Sequence, residues 1–312
     1  FYEKQNLCEI STLFSSEETA DTERFERMED YGELLERWDG RPSVAHSGRW
    51  RDDAELGRNF LQGSHCTFLR RATALPDAFN GTLELTVTEC GETLGTLLAN
   101  GRLFVADYAL LDGLTNPGGL ILRAPIALLW SDPAQKTLKP AAIQIDRDPD
   151  AVVFTPDDSD LDWLLAKLWV RMADASLQQV GSHFFMTHTV IEAVSVATRR
   201  QLSSAHPVFK LLVPHTQHAI GITAVARKHL LCEDGLIDRY MSIGGGSQHA
   251  LLQRVYATVS LKRTLHFPTD LADRGVADPA GLPDYPFRDD GMLFWEALER
   301  YTGTILGLYY PD

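Results

Sequence analysis

The sequence predicts a mainly α-helical fold with a small β part, in one unit. Three observations predict it. A 3.6-residue apolar period begins at Leu161 and runs through Leu164, Leu165, Leu168 and Met172, with helical patterning persisting to about Arg200. Short apolar runs bounded by Gly, Pro or Asp lie between residues 103 and 145. No internal repeat and no clear linker divides the chain.

Taken in order, the first sixty residues are polar and charge-rich. Phe25, Met28, Leu34, Leu35 and Trp38 fall at loosely helical spacing and predict a helix over 22–38. A second short helix is expected over 52–61. Residues 82–88 alternate and are rich in Thr and Val, which predicts a strand. Further strands or extended segments are expected at 103–108, 126–130 and 141–145. The acidic run Asp157-Asp158-Ser159-Asp160 stands where an N-cap and an acidic first turn belong. Later helices are expected at 220–231, 248–261 and 291–308. Gly244-Gly245-Gly246 and the Pro-rich residues 279–286 are breaks.

The chain has 312 residues, enough for a sizeable core, and its 44% hydrophobic and 23% charged content is that of a globular protein. Its formal net charge of −14 argues against nucleic acid, whose binding rests on Lys and Arg neutralising phosphates. The same charge argues against anchoring on anionic lipid. Cys8, Cys66, Cys90 and Cys232 are far apart and form no CxxC pair, so reduced thiols and a cytosolic setting are expected. No apolar run approaches the roughly 18 residues that span a bilayer. The start at Phe1 shows no signal-peptide pattern and no Met, which suggests a fragment or a processed piece.

Of ten histidines, His183, His188, His206, His215 and His218 invite explanation. His183 and His188 lie in the strongest helical region at i, i+5. On an ideal α-helix that spacing sets the rings about 140° apart. One metal could take both only if the helix widened locally to an i→i+5 turn, a feature that concentrates at functional sites. Two helical histidines five apart also arise by chance, so spacing alone leaves metal binding and ordinary packing open.

Context narrows the choice. The run Trp163-Leu164-Leu165-Ala166-Lys167-Leu168-Trp169-Val170-Arg171 precedes a pattern H-x4-H-x17-H-x8-H ending at His215. Together they closely resemble the signature of the lipoxygenases, animal-type in character. Phe60-Leu61-Gln62-Gly63, Arg70-Arg71, Leu110-Leu111-Asp112-Gly113 and Ala124-Pro125-Ile126 fit the same family. So do Gly244-Gly245-Gly246, Leu271-Ala272-Asp273-Arg274-Gly275, Phe287-Arg288-Asp289-Asp290-Gly291 and Leu308-Tyr309-Tyr310. Only residues before about Asp21 match weakly.

The resemblance implies the N-terminal portion of a lipoxygenase catalytic domain over 1–312, with no preceding β-sandwich and with the C-terminal part missing. It implies a non-haem iron dioxygenase that inserts O2 into polyunsaturated fatty acids of the arachidonate or linoleate type, by bis-allylic hydrogen abstraction, to give hydroperoxides. An iron-bound hydroxide is the base in that family, so no side chain is assigned as catalytic. By resemblance His183 and His188 are the first two iron ligands, one iron per complete domain; imidazole suits that metal. His206 and His215 match histidines that do not bind iron. Glu192 and Gln178 are expected behind the ligands, Gln178 standing where animal members often have His. Phe184 and Leu230 match apolar residues that clamp the substrate. Ala226 matches the Ala-or-Gly position that steers O2. Ala175, Tyr240 and Met241 match positions that set pocket depth.

A larger departure follows from the same comparison. The family's remaining protein ligands lie beyond Asp312, so two histidines alone leave the iron site incomplete. The expected partners are therefore a fatty acid and O2, with membrane association only through a domain outside this chain. A rival reading is a catalytically inactive lipoxygenase fragment that binds lipid or another protein; another is a relative that rearranges hydroperoxides. A zinc hydrolase lacks support, since no HExxH is present. The Gly244–Gly246 run lacks the Lys-Ser/Thr of a phosphate loop and reads as a turn.

Overall fold

The computed structural model describes residues 49–311 apart from Asn80 and Pro149. The chain divides into two compact units, 1–51 and 52–312, and every element below belongs to the second. The helix expected over 22–38 lies outside the described residues.

Helix α1 (Asp53–Gln62) buries Leu56, Phe60 and Leu61 on one face. Gly57 lets it lie directly on the sheet: a Cβ there would stand 1.8 Å from the Leu138 carbonyl oxygen. The sheet has five antiparallel strands in the order β1 (Arg70–Arg71), β4 (Leu103–Asp107), β5 (Ile126–Asp132), β6 (Thr137–Gln144) and β7 (Val153–Phe154). A separate pair, β2 (Thr86–Val87) and β3 (Glu92–Thr93), leads into the short helix α2 (Leu94–Ala99).

The central strands read as continuous apolar runs because both sheet faces are covered. Along β5, Ile126, Leu128 and Trp130 enter one core with Leu94, Leu97 and Leu103. Ala127 and Leu129 enter the other, with α1 and the later helices. Pairing slips between Leu128 and Leu129, where Leu128 faces Ala142 and Leu129 faces Pro140. The bulge accommodates a proline inside an inner strand. The strand expected over 82–88 shrinks to Thr86–Val87. The Thr82 amide bonds to the Phe79 carbonyl and the Leu85 amide to the Thr82 carbonyl, so turns take up the alternating residues before it.

Ser159 caps α3 (Asp160–Leu177) by accepting from the Asp162 amide, as the acidic run suggests. Asp53 of α1 accepts from Trp163 Nε1 at 2.9 Å and from Lys167 Nζ at 2.6 Å, tying α1 to α3. From Gln178 to Thr189 the helix continues as a π-helix, then resumes as α4 (Val190–Gln201). The remaining helices are α5 (Pro207–Thr216), α6 (Ala219–His229), α7 (Leu236–Tyr240), α8 (Ser247–Thr258), α9 (Leu261–Thr264), α10 (Phe267–Asp273) and α11 (Pro286–Tyr309).

Several helices go beyond the sequence expectations, α5 and α10 among them. Pro214 inside α5 hides its period, while His206 caps it through Nδ1, which accepts from the Val208 amide at 3.2 Å. Helix α10 is only seven residues long. The helix expected over 248–261 ends at Thr258, because Val259 is extended. The glycine run closes on a carboxylate: Asp238 Oδ1 accepts from the Gly245 amide at 2.6 Å and the Gly246 amide at 3.2 Å. Both glycines have positive φ, +68° and +90°. Amides that a phosphate would need are thus occupied, which supports the turn reading.

Candidate metal centre

The π segment carries the site. An α-helix would splay His183 and His188, but the wider turn brings them together. Their Nε2 atoms lie 3.1 Å apart and their ring centroids 4.9 Å apart. The Val190 amide bonds to the Phe185 carbonyl, an i→i+5 link, and Thr187 Oγ1 donates to the Ser182 carbonyl across the same interval at 3.2 Å. Gly181 sits where a Cβ would come within 3.2 Å of Val255 Cγ2, so α8 packs close behind the segment.

His183 Nδ1 is 3.0 Å from Gln179 Oε1. An amide oxygen only accepts, so Nδ1 carries the proton and Nε2 presents its lone pair. His188 has its pKa lowered, first by burial and then by the neighbouring His183. Imidazoles with converging Nε2 atoms, once both are deprotonated there, are what a transition metal requires. Two imidazole nitrogens bound side by side at about 2.1 Å from a metal would stand about 3 Å apart, close to the spacing seen. The pair fits two ligands of one ion. No group of three or more His, Cys, Asp or Glu forms a metal cluster among the described residues.

Glu192 does not join the pair. Both its oxygens accept from Arg227 of α6, each at 2.7 Å. Hydrogen bonding from Arg227 comes first in holding its carboxyl below the usual range. Gln178 opens the π segment, but the amide that touches a histidine belongs to its neighbour Gln179, which the sequence reading missed. His206 is a helix cap whose Nε2 lies 3.0 Å from the Tyr310 hydroxyl, whereas His215 and His218 are exposed.

The six residues assigned to substrate do not share a cavity among the described residues. Phe184 is buried, lies nearly parallel to His188 at 6.0 Å between centroids, and lines a cavity of about 490 Å³ with Phe185, Leu231, Leu252 and Tyr256. Ala226 is buried in the main core, and Leu230 and Met241 pack against it half-buried. Ala175 and Tyr240 face solvent, Tyr240 at 72% exposure, so neither bounds a pocket floor here. Ala175 lies on the exposed side of α3 and Tyr240 at the exposed end of α7.

A buried group absent from the sequence reading lies on the other side of the segment. His65, 2% exposed, stands between Ser182 and Asp174. No local pattern announces it, because its partners are more than a hundred positions away in the chain.

The lipoxygenase family model matches residues 41–312. The polyunsaturated fatty acid lipoxygenase ALOX12 of Homo sapiens is 37% identical, over 91% of this chain and 43% of that protein. The allene oxide synthase-lipoxygenase protein of Plexaura homomalla is 33% identical, over 93% of this chain and 30% of that protein. An anaerobic crystal structure of a LOX deletion variant in complex with arachidonate superposes with a TM-score of 0.85 at 32% identity, covering 98% of this chain and 46% of that one. The chain thus spans less than half the length of the relatives it matches.

Proposed function

The chain belongs to the lipoxygenase family, and on that premise we propose that it carries part of the catalytic centre of a non-haem iron dioxygenase acting on a polyunsaturated fatty acid. The observation that carries this reading is the convergence of His183 Nε2 and His188 Nε2 to 3.1 Å across a π turn. Iron held there would supply abstraction of a bis-allylic hydrogen, after which O2 adds to the carbon radical and a hydroperoxide results.

The chain's own residues have separate tasks in this proposal. His183 and His188 hold the metal. Gln179 fixes the tautomer and ring plane of His183, as outer partners of metal-bound imidazoles do. Phe184 lays an apolar ring beside His188 and keeps water from that side. The Ala226 methyl and Leu230 furnish small and apolar surface along α6, while Ala175, Tyr240 and Met241 would meet substrate only with further chain opposite them. The arachidonate held by the related LOX structure supports a long unsaturated acyl chain as ligand. The free thiols Cys66, Cys90 and Cys232 support a reducing, cytosolic setting.

We read 1–312 as the front portion of a catalytic domain whose remaining ligands lie elsewhere in a longer protein. The two-donor set supports this, as do exposed apolar residues on α11, among them Leu293, Phe294 and Leu308. Those same residues favour a second reading, an inactive portion that binds lipid or protein through that face.

Elemental analysis of this chain, beside one extended to the full length of its relatives, tests the proposal. Near-stoichiometric iron and fatty-acid oxygenation in the extended chain, with weak iron in the short one, is expected. Absence of iron from both would refute the dioxygenase and leave the second reading.

A further inference from the structure

We infer that His65 is a positioning residue: its bond to Ser182 holds the wide turn that brings His183 and His188 together. The inference rests on the reading of those two histidines as an iron pair. It concerns a residue that touches neither of them.

His65 follows α1 and is locked on every polar atom. Its Nδ1 lies 2.6 Å from Asp174 Oδ1, and its Nε2 lies 2.8 Å from Ser182 Oγ. The Tyr108 hydroxyl donates to the same Asp174 oxygen at 2.8 Å, and Tyr108 is fully buried. The Phe68 ring stacks on the imidazole, 4.8 Å between centroids and 15° from parallel. The carboxylate accepts from Nδ1–H, and Nε2 shares a hydrogen bond with the Ser182 hydroxyl. Asp174 belongs to α3 and Ser182 to the π segment, so His65 bridges the two.

Ser182 immediately precedes His183. Its side chain is held by His65, and its carbonyl accepts from Thr187 Oγ1. Both bonds bear on the turn that separates His183 from His188. A π turn is rare because its hydrogen bonding is less favourable than that of an α-helix, so it persists where outside contacts compensate. If the segment relaxed toward an α period, the two rings would swing to about 140° apart. The bond from His65 is an outside contact placed at that turn.

The order Ser–His–Asp is also that of a nucleophile, its base and the group that orients the base. Ser182, however, lies within the π segment, whose amides are used in its own ladder. No pair of free amides is available there to stabilise an oxyanion. The geometry therefore points to positioning.

Three variants and two measurements test this. H65F keeps a ring against Phe68 but loses the bond; S182A loses the bond from the other end; H65Q places an amide near the former Nε2. Hydrogen exchange of the metal-free chain reads the turn itself, and the visible spectrum of added Co(II) reads the pair. We expect H65F and S182A to speed amide exchange over residues 182–188 on the order of tenfold and to weaken or shift the Co(II) bands. H65Q should stay near the parent in both. Unchanged exchange in H65F and S182A, or H65Q as loosened as H65F, would overturn the inference. If H65F fails to fold, S182A decides, since it removes one oxygen. A parent chain that takes up no Co(II) leaves the metal pair to be judged in the extended chain, and the exchange data still decide the role of His65.

Discussion

Arg227 of α6 grips both carboxylate oxygens of Glu192 of α4, each at 2.7 Å, in a fork that only a guanidinium can make. Glu192 lies one helical turn beyond His188, where a carboxylate would otherwise be the natural third ligand of a two-histidine metal site. The fork takes both oxygens, so the carboxylate serves to join two helices.

E192Q should therefore leave metal uptake intact while loosening the α4–α6 contact. The Glu192 pKa is lowered in the folded chain, chiefly by hydrogen bonding from Arg227. A lowered folded value means that the unfolded chain binds the proton more tightly. The stabilisation is complete above the unfolded carboxylate value of about 4.3 and fades as pH falls through the lower folded value. Arg227 is half exposed, so screening limits the pair to about 1 kcal/mol or less. Acid titrations of parent and E192Q followed by circular dichroism should converge only once the pH has fallen below the lowered folded value. Loss of iron in E192Q would instead place the carboxylate in the metal site.

His188 should titrate below the ordinary histidine range when the chain is metal-free. Burial is the larger cause and the charge of His183 the smaller. Replacing His183 by Ala should therefore raise the His188 value only part of the way to 6.5. The sign for stability follows from the lowered value: the contribution is present above the unfolded pKa and is lost as pH falls through the folded one. Ring-proton chemical shifts followed against pH would measure both. Full recovery to 6.5 in H183A would show that charge, not burial, dominates.

How far such features can be read in advance depends on how far apart in the chain their causes lie. His183 and His188 are five apart, a spacing that calls for a widened turn if one metal takes both; the π-helix at Gln178–Thr189 supplies it. The central strands were legible from apolar runs, and α3 from its period and acidic start. Pro214 broke the pattern of α5, whose cap is a histidine and thus outside the usual set. The alternation over 82–88 suggested a longer strand than Thr86–Val87, because alternation does not reveal that a turn hydrogen bond has taken an amide. His65 and Ser182 are 117 positions apart, and no local rule links them. Ala175 and Tyr240 were placed by resemblance, and resemblance does not supply the wall that would face them.

The turn between α7 and α8 should fail when Asp238 loses its charge. Its carboxylate accepts from the amides of Asp234, Gly245 and Gly246 and from Gln248 Nε2. These bonds, with that from the Asp234 amide foremost, hold its pKa below the usual value. Stability from this latch is again complete above the unfolded aspartate value of about 3.9 and lost as pH falls below it. D238N keeps one acceptor oxygen and should loosen the turn; D238A should free it. Hydrogen exchange at Gly245 and Gly246 is the direct readout. Protection that survives in D238A would mean that the glycines hold their left-handed conformation without the carboxylate.

Two glycines should respond to the same substitution with opposite signs. At Gly57 a methyl would meet the Leu138 carbonyl oxygen at 1.8 Å. Neither partner can yield cheaply, because one lies in the middle of α1 and the other is backbone in an inner strand. G57A should destabilise by about 3 kcal/mol or more through overpacking. At Gly303, within α11, nothing lies within 4 Å of the added carbon. There the methyl only removes conformational freedom from the unfolded chain, and G303A should stabilise by roughly 0.5–1 kcal/mol. Urea denaturation of both variants under identical conditions makes the comparison. A mild effect at Gly57 would show that α1 can ride away from β6, and with it that His65, which follows α1, is less firmly seated than its buried bonds imply.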